Sequence, residues 1–413
     1  MSMFIKSIPR GIIYHNVRDE VIWLFESFFK KLDDRKVISE FEHAFSSYMG
    51  SKHCVTFPFA RTALYYTLKA LKLPAGSEVL MPPVTIKAIL DVVLALDLKP
   101  VFVDINNETL CFDFEKLKNA VNNNTKVALI TYLFGMVPNV KKMTDYLKLK
   151  GVFVVEDFSQ CLDGKFDGKK IGTFGDVGIY SASSIKTLDT FGGGILVSDN
   201  DDIVEILQNF QASLTTVNRQ LLIKTIITDL IRNIATTRFI FNFFTFPLIK
   251  IIDYFKPASF IKHTGRRNKD MLNKLPDIWF CTYTSFQAKI GLKLLERVET
   301  SNLKRIKNAE LIKDNVKGIN FPKGVLNGRN VYWQLVAFFE DASVIQRFLH
   351  SHKIDTATTS LELVSSLNKY PYKRSTPNAK NLYLNGLFVP AFPGLKQSDL
   401  NRIYIALNDL GKN

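Results

Sequence analysis

The chain has 413 residues, of which 46% are hydrophobic, and its 54 Lys and Arg residues against 39 Asp and Glu residues give a formal net charge of +15. These values exclude a disordered or fibrous protein and allow one large core and one smaller core, so we expect two domains. The basic charges are scattered, which suits a phosphate-bearing ligand or an anionic lipid, and nucleic acid is not predicted as a partner because no zinc-finger or RNP motif accompanies them.

Short β-rich runs alternate with helical stretches between Val55 and Ser198, a pattern typical of a mainly parallel sheet with helices on both faces. The predicted strands are Glu78 to Met81, Pro100 to Val103, Val127 to Tyr132, Phe153 to Glu156, Gly178 to Ser181 and Gly194 to Val197. The predicted helices are Ile86 to Leu96, Phe114 to Val121 and Val140 to Lys148. The sequence thus predicts an α/β domain whose ligand lies at the strand ends.

The segment from about Leu214 to Lys262 is apolar and aromatic, with basic residues spaced through it at Lys224, Arg232, Arg238, Lys250 and Lys256. Its longest stretch without a charged residue, Phe239 to Ile249, is too short to span a bilayer. We expect helices that pack on the protein body or on a second subunit. A peripheral contact of residues 214–262 with an anionic membrane surface and a mobile lid are the alternatives.

After Pro276 the pattern changes to an extended amphipathic helix, FQAKIGLKLLERVETSNLKRIKNAELIKDNV, and then to a strand, NVYWQLVAFF. This order predicts a small α+β C-terminal domain that is reached through a linking helix. We therefore assign residues 1–275 to a large α/β domain that carries the apolar insertion. Residues 276–413 form the linking helix and the small domain in this assignment.

The four cysteines, Cys54, Cys111, Cys161 and Cys281, lie far apart in the sequence. Their spacing matches neither the C-x-x-C pairs of a metal site nor the dense cysteines of a secreted, disulfide-bonded protein. The N-terminal sequence MSMFIKSIPRG lacks an apolar stretch long enough for a secretory signal. We therefore expect reduced cysteines, no bound metal and a cytoplasmic location.

Two motifs at predicted strand ends carry chemistry. In VVEDFSQ, a strand delivers Asp157 to its carboxyl end, where the carboxylate could pair with a protonated pyridine nitrogen and keep that ring electron-withdrawing. In YSASSIKTLDTFGGGILVSD, Lys186 follows a strand and precedes a run of glycines. A lysine amine held in such a site can lose its proton and form an imine with an aldehyde.

Each of these residues alone has a simpler interpretation. Asp157 could cap the next helix, and a single lysine such as Lys186 is usually a solvated surface charge. The two motifs together, with glycines after the lysine, favour a catalytic role for both residues.

These motifs resemble the DegT-type (DegT/StrS) sugar aminotransferase family, which is part of the fold-type I pyridoxal-phosphate (PLP) enzymes related to aspartate aminotransferase. The resemblance runs almost end to end, from EFEHAFSSYMGSKHCVTF to LFVPAFPGLKQSDLNRI. It implies the fold-type I architecture, with Lys186 holding PLP as a Schiff base and Asp157 paired with the ring nitrogen of the cofactor. It also implies a homodimer whose active sites lie at the interface.

The stretch FARTALYYTLKAL is similar to the loop and helix start that bind the cofactor phosphate in this family. By that resemblance, the main-chain N–H groups of Arg61 and Thr62 form an anion site beside Ala60, and the Arg61 side chain adds charge. Ser181 would give a hydroxyl to the same phosphate. Gln160 would donate a hydrogen bond near the phenolic oxygen of the cofactor, although capping of a strand end is the simpler role for both residues.

The stretch EVLMPPVTIKAI resembles the Pro-x-x-Thr segment of the family, which implies that Thr85 and Ile86 lie near the cofactor and substrate. Four positions depart from the family pattern. Ile86 stands where an aromatic residue often stacks on the pyridine ring, Tyr132 where a histidine is common, and Gly192 where an acidic residue precedes the last glycines. The segment around Phe280 to Thr282 lacks the asparagine-tyrosine-arginine sequence that reaches the partner subunit's phosphate site.

The resemblance implies an aminotransferase that moves an amino group from an amino acid, taken as L-glutamate, to a nucleotide-linked keto sugar for surface polysaccharide or lipopolysaccharide synthesis. One alternative is a PLP-dependent sugar dehydratase or another PLP enzyme on the same scaffold. Retention of Lys186 argues against the dehydratases, because a histidine replaces the lysine in those relatives. The remaining alternatives are a non-catalytic binding protein and an aminotransferase for a membrane-associated acceptor at the inner membrane surface.

Overall fold

The structure is a computed structural model that describes residues 6–255, 274–367 and 374–410. Its helices are α1 (Val17–Phe29), α2 (Arg35–Met49), α3 (Ala60–Ala70), α4 (Lys87–Leu94), α5 (Phe114–Ala120), α6 (Val140–Leu149), α7 (Asp201–Ser213), α8 (Arg219–Thr236), α9 (Arg238–Ile240), α10 (Phe246–Phe255), α11 (Ser285–Leu295), α12 (Val298–Asn315), α13 (Ala342–Ser351), α14 (Pro377–Asn385) and α15 (Gln397–Asp409). Its strands are β1 (His53–Phe57), β2 (Glu78–Met81), β3 (Val84–Thr85), β4 (Lys99–Phe102), β5 (Thr125–Thr131), β6 (Phe153–Asp157), β7 (Lys165–Phe166), β8 (Lys169–Lys170), β9 (Val177–Ser181), β10 (Gly194–Ser198), β11 (Gly328–Arg329), β12 (Leu335–Phe338), β13 (Ala357–Thr358), β14 (Glu362–Leu363) and β15 (Gly386–Val389).

A seven-stranded sheet in the order β1-β10-β9-β6-β5-β2-β4 forms the centre of the large domain. Neighbouring strands from β9 to β4 are parallel, and β10 is antiparallel to both of its neighbours. Each of the six predicted strands lies in this sheet within two residues of its predicted bounds. The prediction of a mainly parallel sheet is therefore confirmed.

Helices cover both faces of this sheet, because its strands are apolar on both sides. One face packs on α3, α4 and α7 through a core that includes Leu64, Ile89 and Leu207. The opposite face packs on α2, α5, α6 and α11 through a second core that includes Phe41 and Leu147. The helices start where the sequence provides capping side chains, as at Asp113, Asn139 and Asn200.

The parallel pairing brings two chemically important strand ends together. Strands β6 and β9 are hydrogen-bonded neighbours that run in the same direction, with Asp157 opposite Ile179. Asp157 ends β6 and Ser181 ends β9, so both lie at the carboxyl edge of the sheet. The loop that carries Lys186 leaves from this same edge, which is where α/β proteins bind ligands.

The C-terminal part has its own core, around the three-stranded sheet β12-β15-β13 and helices α12 to α15. Two predictions here were wrong in detail. The predicted single linking helix is broken between α11 and α12, since α11 packs on α2 of the large domain whereas α12 packs on α15. The predicted strand NVYWQLVAFF is regular only at Leu335–Phe338, because Val331 and Gln334 donate hydrogen bonds to the loop residues Gly135 and Phe134 instead.

The apolar segment forms helices α8, α9 and α10, and α8 packs against α1. A π-helical turn, Phe241–Thr245, joins α9 to α10. Among the described residues no single helix is long and apolar enough to cross a membrane, but the bent pair Arg219–Thr236 and Arg238–Ile252, at 63°, meets the length and composition of a span. Residues 256–262 of the predicted segment, which include Lys256, lie outside the described residues.

Candidate active site

Lys186 lies in the loop after β9 and is half-buried. Its Nζ is 4.1 Å from the centre of the Trp333 ring, and the indole N–H of Trp333 donates to the main-chain oxygen of Ile185 at 3.1 Å. Burial lowers the pKa of the Lys186 amine to about 8, because it outweighs the attraction of the nearby Asp157 carboxylate. A larger share of this amine is therefore neutral near pH 7 than for an exposed lysine.

The Asp157 carboxylate lies at the end of β6 and accepts the main-chain N–H of Ser159 at 3.0 Å. Burial raises the pKa of Asp157, and the hydrogen bond from Ser159 and the charge of Lys186 only partly oppose this effect. Burial thus shifts both the acid and the amine toward their neutral forms. Ionisable groups with such shifts concentrate at sites where proton transfer takes place.

The start of α3 offers main-chain donors beside this edge of the sheet. The N–H groups of Ala60 and Arg61 open the helix next to a parallel bridge between Phe59 and Gly193, and the N–H of Thr62 donates to the main-chain oxygen of Phe59 at 3.0 Å. The hydroxyl of Thr62 is also engaged, at 2.6 Å from the main-chain oxygen of Trp279. The N–H and the hydroxyl of Thr62 thus have partners within the protein, and the anion site of Ala60, Arg61 and Thr62 stays a prediction.

The glycine run brings the start of α3 close to the sheet. A Cβ atom on Gly194 would lie 2.2 Å from the main-chain oxygen of Phe59 and 2.5 Å from the nitrogen of Ala60. Any side chain at this position would push the helix start away. Gly194 therefore sets the distance between the α3 N-terminus and the end of the sheet.

The side chain of Arg61 is held by aromatic rings. Its guanidinium carbon is 4.2 Å from the centre of the Phe59 ring and 4.5 Å from that of Trp279. Burial lowers the pKa of Arg61 to about 10, and its Nε has no hydrogen-bond partner among the described residues. A buried cation without a paired carboxylate favours an anionic ligand nearby.

Two further predicted residues lie at the same edge of the sheet. The Ser181 and Ser183 hydroxyls are 2.9 Å apart, and the N–H of Ser181 donates to the Ser159 hydroxyl at 3.0 Å. The side-chain oxygen of Gln160 accepts the main-chain N–H of Phe134 at 2.7 Å. This bond fixes the amide orientation, so its NH₂ group is the part that can donate to a ligand.

Thr85 and Ile86 have no described contact with Lys186 or Asp157. Thr85 is buried in β3 and pairs with Glu362 of β14, which joins the two domains. Ile86 precedes α4 and has 40% of its surface exposed. The described contacts bring neither side chain to Lys186 or Asp157, so their predicted place beside the cofactor stays a prediction.

Sequence reasoning missed Glu156, although a carboxylate inside an apolar strand was a signal. Glu156 is fully buried and accepts hydrogen bonds from the hydroxyl of Tyr132 and from the main-chain N–H groups of Gly172 and Phe174, the latter two at 2.9 and 2.6 Å. Burial raises the pKa of Glu156, and these donors oppose the effect. Tyr132, which stands where the family commonly has a histidine, thus holds the carboxylate of Glu156, the residue before Asp157 in β6.

A buried polar network beneath the Lys186 loop was also missed. The Nδ1 of His15 is 3.0 Å from Glu20, and its Nε2 is 2.8 Å from the main-chain oxygen of Asp189. Both partners are acceptors, which fits the raised pKa of His15 and a protonated ring. The Asp189 carboxylate in turn accepts the N–H groups of Ile185 and Phe191 at 3.1 and 2.9 Å. This network orients the backbone on both sides of Lys186.

We expect Asp189 to make stability depend on pH. Burial raises the pKa of Asp189 to about 7 from its usual 3.8, although His15 partly opposes and Asp229 adds to the shift. The folded protein therefore holds a proton that the unfolded chain has released, so the free energy of unfolding falls as pH rises from about 4 to about 7. Asp189→Asn should flatten this slope in urea unfolding measured across that range.

Asp355 provides a control, because its contribution to the free energy of unfolding changes with pH in the opposite direction. The Arg10 guanidinium binds the Asp355 carboxylate through two bonds of 2.7 Å and lowers its pKa, so its contribution to stability is lost as pH falls. Asp355→Asn should therefore lower stability most at neutral pH. An unchanged slope in Asp189→Asn would show that Asp189 carries no extra proton in the folded state.

The chain matches known proteins over most of its length. A model of the DegT/DnrJ/EryC1/StrS aminotransferase family matches residues 17–221 and 281–408, so most of the apolar insertion falls outside the match. The chain is 31% identical over 170 residues to GDP-perosamine synthase of Vibrio cholerae, a match that covers 41% of this chain and 46% of that enzyme. In this alignment the chain spans about half the length of that relative.

Solved structures with the same fold cover nearly the whole chain. DesV of S. venezuelae, in complex with a ketimine intermediate, has a TM-score of 0.74 and 18% identity, with 99% of this chain and 100% of that chain covered. GDP-4-keto-6-deoxy-D-mannose-3-dehydratase of E. coli, with bound hydrated PLP, has a TM-score of 0.73 and 20% identity, with 98% and 100% covered. These likenesses confirm the predicted fold-type I architecture.

The family match covers both domains and includes Asp157 and Lys186, which the structure places at one edge of the sheet. The predicted family is confirmed. The chain belongs to the DegT/DnrJ/EryC1/StrS aminotransferase family.

Proposed function

We propose that this protein transfers the amino group of L-glutamate to a keto sugar carried on a nucleotide, in a pathway for surface polysaccharide or lipopolysaccharide. The observation that carries the proposal is the arrangement of Lys186 and Asp157, a lysine whose pKa is lowered to about 8 beside a buried carboxylate at the carboxyl edge of a parallel sheet. Aminotransfer needs an amine that changes protonation near neutral pH and a fixed carboxylate.

The residues present fit PLP. The N–H groups of Ala60 and Arg61 at a helix N-terminus suit its phosphate, with the Ser181 hydroxyl at the neighbouring strand end. Asp157 would pair with the ring nitrogen, and the amide NH₂ of Gln160 would donate near the phenolic oxygen. The chemistry that PLP supplies when bound is an aldehyde that takes up the amino group and a ring that withdraws electrons from the α-carbon of the donor.

Lys186 supplies the proton transfer in this proposal. With a pKa of about 8, roughly one Lys186 amine in ten is neutral at pH 7, against fewer than about one in a thousand for an ordinary lysine. The neutral Nζ would take up the proton from the donor's α-carbon and hold it as an ammonium for the return transfer. The Trp333 ring, 4.1 Å from Nζ, favours the protonated amine once the proton has been taken up.

The acceptor side of the site is a cavity of about 250 Å³ between the two domains. It is lined by Ile185 and Trp333 next to Lys186, and by Arg10 and Arg232, whose guanidinium groups also pair with Asp355 and Asp229. Two arginines beside apolar and aromatic walls suit a sugar that bears phosphate groups. The similarity to a GDP-perosamine synthase supports a nucleotide-linked sugar as the acceptor.

The protein is proposed to work in the cytoplasm as a homodimer, because fold-type I enzymes complete each site with groups from the neighbouring subunit. Lysine at position 186, where the related dehydratases carry histidine, favours aminotransfer over dehydration.

The proposed function is tested by mixing the full-length protein, PLP and L-glutamate and following 2-oxoglutarate by a coupled assay. A stoichiometric burst is expected without an acceptor, and continuous turnover is expected when a GDP- or UDP-linked 4-keto sugar is added. A burst without turnover on any nucleotide-linked keto sugar would contradict the proposed acceptor. Absence of the burst with every amino donor would contradict aminotransfer itself.

A further inference from the structure

Helices α1 and α8 lie side by side in opposite directions. Near the start of α8, the Arg219 guanidinium donates to the main-chain oxygen of Lys30, just after α1, at 2.9 Å. Near the end of α8, the amide of Asn233 donates to the main-chain oxygen of His15, just before α1, at 2.9 Å. The two helices therefore present their outward faces as one surface.

The outward faces are apolar where a helix on a protein surface is normally polar. Helix α1 buries Glu20, Trp23 and Ser27, whereas its exposed side consists of Val21, Ile22, Phe25, Phe28 and Phe29. Phe29 alone has 86% of its surface exposed. Helix α8 buries Leu222 and Ile226 together with Asp229 and Asn233, and it exposes Ile227, Ile231 and Ile234 beside the polar residues Lys224, Thr228 and Arg232.

The apolar surface continues past the bend into α10, through Phe239, Phe243, Phe244, Leu248 and Ile251. We call the exposed apolar residues of α1 and α8 to α10 the aromatic face. All six exposed phenylalanines among the described residues belong to it. Such a concentration of exposed aromatic and aliphatic side chains on a protein surface marks a site of contact with another body.

The charges on the insertion distinguish between possible partners. The exposed charged residues between Arg219 and Ile252 are all basic, since Asp229, the acid of this stretch, is buried. The charges of α1 are mixed, with Arg18 and Lys30 against Asp19 and Glu26, so the excess positive charge of the face lies on the insertion. Two copies that met through the insertion would bring these cations near one another, at a cost. An anionic surface is complementary instead, and Lys224 and Lys250 lie among the apolar side chains, where they can reach lipid phosphates.

We propose that the aromatic face docks on a bilayer that contains anionic phospholipid, with α1, α8 and α10 lying in the plane of the headgroups. The 63° bend between the two parts of the insertion spreads the apolar side chains along a surface. Arg232 and Thr236 of α8 line the cavity beside Lys186, so docking brings the mouth of this cavity to the membrane.

The test is co-sedimentation of the full-length protein with vesicles of phosphatidylcholine alone or with added phosphatidylglycerol. Binding should require the anionic lipid. The variant with Phe25, Phe29, Phe243 and Phe244 all changed to serine should bind at least about tenfold more weakly, since each buried phenylalanine contributes a large apolar area. Lys224→Gln and Lys250→Gln should each weaken binding about fivefold, and less so at high salt.

Leu149 and Leu326 supply the matched control, because both are strongly exposed but lie away from the aromatic face. The double variant Leu149→Ser, Leu326→Ser should bind vesicles like the wild type. Equal binding by the phenylalanine variant, or equal binding of the wild type to vesicles without anionic lipid, would overturn the proposal. A phenylalanine variant that becomes monomeric in sedimentation velocity but binds vesicles normally would instead assign this face to contact between copies. None of these readouts depends on catalysis, so they are independent of the proposed reaction.

Discussion

Lys186→Ala is expected to lower the rate of 2-oxoglutarate formation from L-glutamate by about 10⁴-fold or more. The substitution removes both the covalent attachment point for the cofactor and the amine that moves the proton, and proton transfer alone commonly contributes about 10²- to 10⁴-fold. The visible absorbance of protein-bound PLP should also lose its response to L-glutamate. Because burial lowers the pKa of Lys186, the amine is unfavourable for folding at neutral pH, and the variant should unfold at no lower temperature than the wild type.

Two controls separate charge from chemistry at Lys186. Lys186→Arg keeps a cation beside Trp333 but cannot act as the base, so it should be as inactive as the alanine variant. Lys141→Ala removes an exposed lysine of α6 and should leave the rate unchanged. Glutamate-dependent turnover in Lys186→Ala at even a hundredth of the wild-type rate would show that another group moves the proton.

Asp157→Asn should have opposite effects on activity and stability. The amide cannot sustain a positive charge on the ring nitrogen, so the rate of aminotransfer should fall on the order of 10²-fold or more. Asparagine can still accept the N–H of Ser159, but it no longer buries a carboxylate whose pKa is raised by its surroundings. The variant without cofactor should therefore melt at a higher temperature than the wild type at pH 7, and the difference should shrink at acidic pH.

Asp355→Asn is the matched control for the stability half of this expectation. Its carboxylate is paired with Arg10 and its pKa is lowered, so removal of the charge should lower the melting temperature at pH 7. An Asp157→Asn protein that is fully active would mean that Asp157 only terminates its strand. One that is inactive but less stable would mean that the carboxylate is held by contacts stronger than the single bond from Ser159.

The sheet and the central pair of the site could be predicted because their signals are local. Each strand of the sheet is a short apolar run bounded by turn residues, and parallel strands bring their carboxyl ends to one edge. Asp157 and Lys186 follow two such strands, so their proximity was accessible from the sequence. Their spacing alone did not reveal the pKa shifts, which depend on how deeply the fold buries each group.

Other parts of the site depend on contacts between distant segments. Trp333 reaches Lys186 because the stretch before β12 bonds to the loop at Phe134 rather than to a strand. His15 meets the main chain of Asp189 across 174 positions of sequence. Thr62 was expected to offer its N–H to an anion, but the tight turn at the start of α3 uses that N–H internally. Patterns of neighbouring residues carry no information on such contacts.

The buried network around His15 has a consequence for how the two surfaces of the protein communicate. Asn233 of α8 donates to Glu20 of α1 at 2.9 Å, Glu20 binds His15, and the Asp189 segment that His15 holds fixes the N–H of Ile185 next to Lys186. The two helices and the backbone that carries the amine are thus joined by a continuous hydrogen-bond network. Binding equilibria are reciprocal. If a ligand at Lys186 changes the affinity of these helices for an external partner by some factor, that partner changes the affinity for the ligand by the same factor.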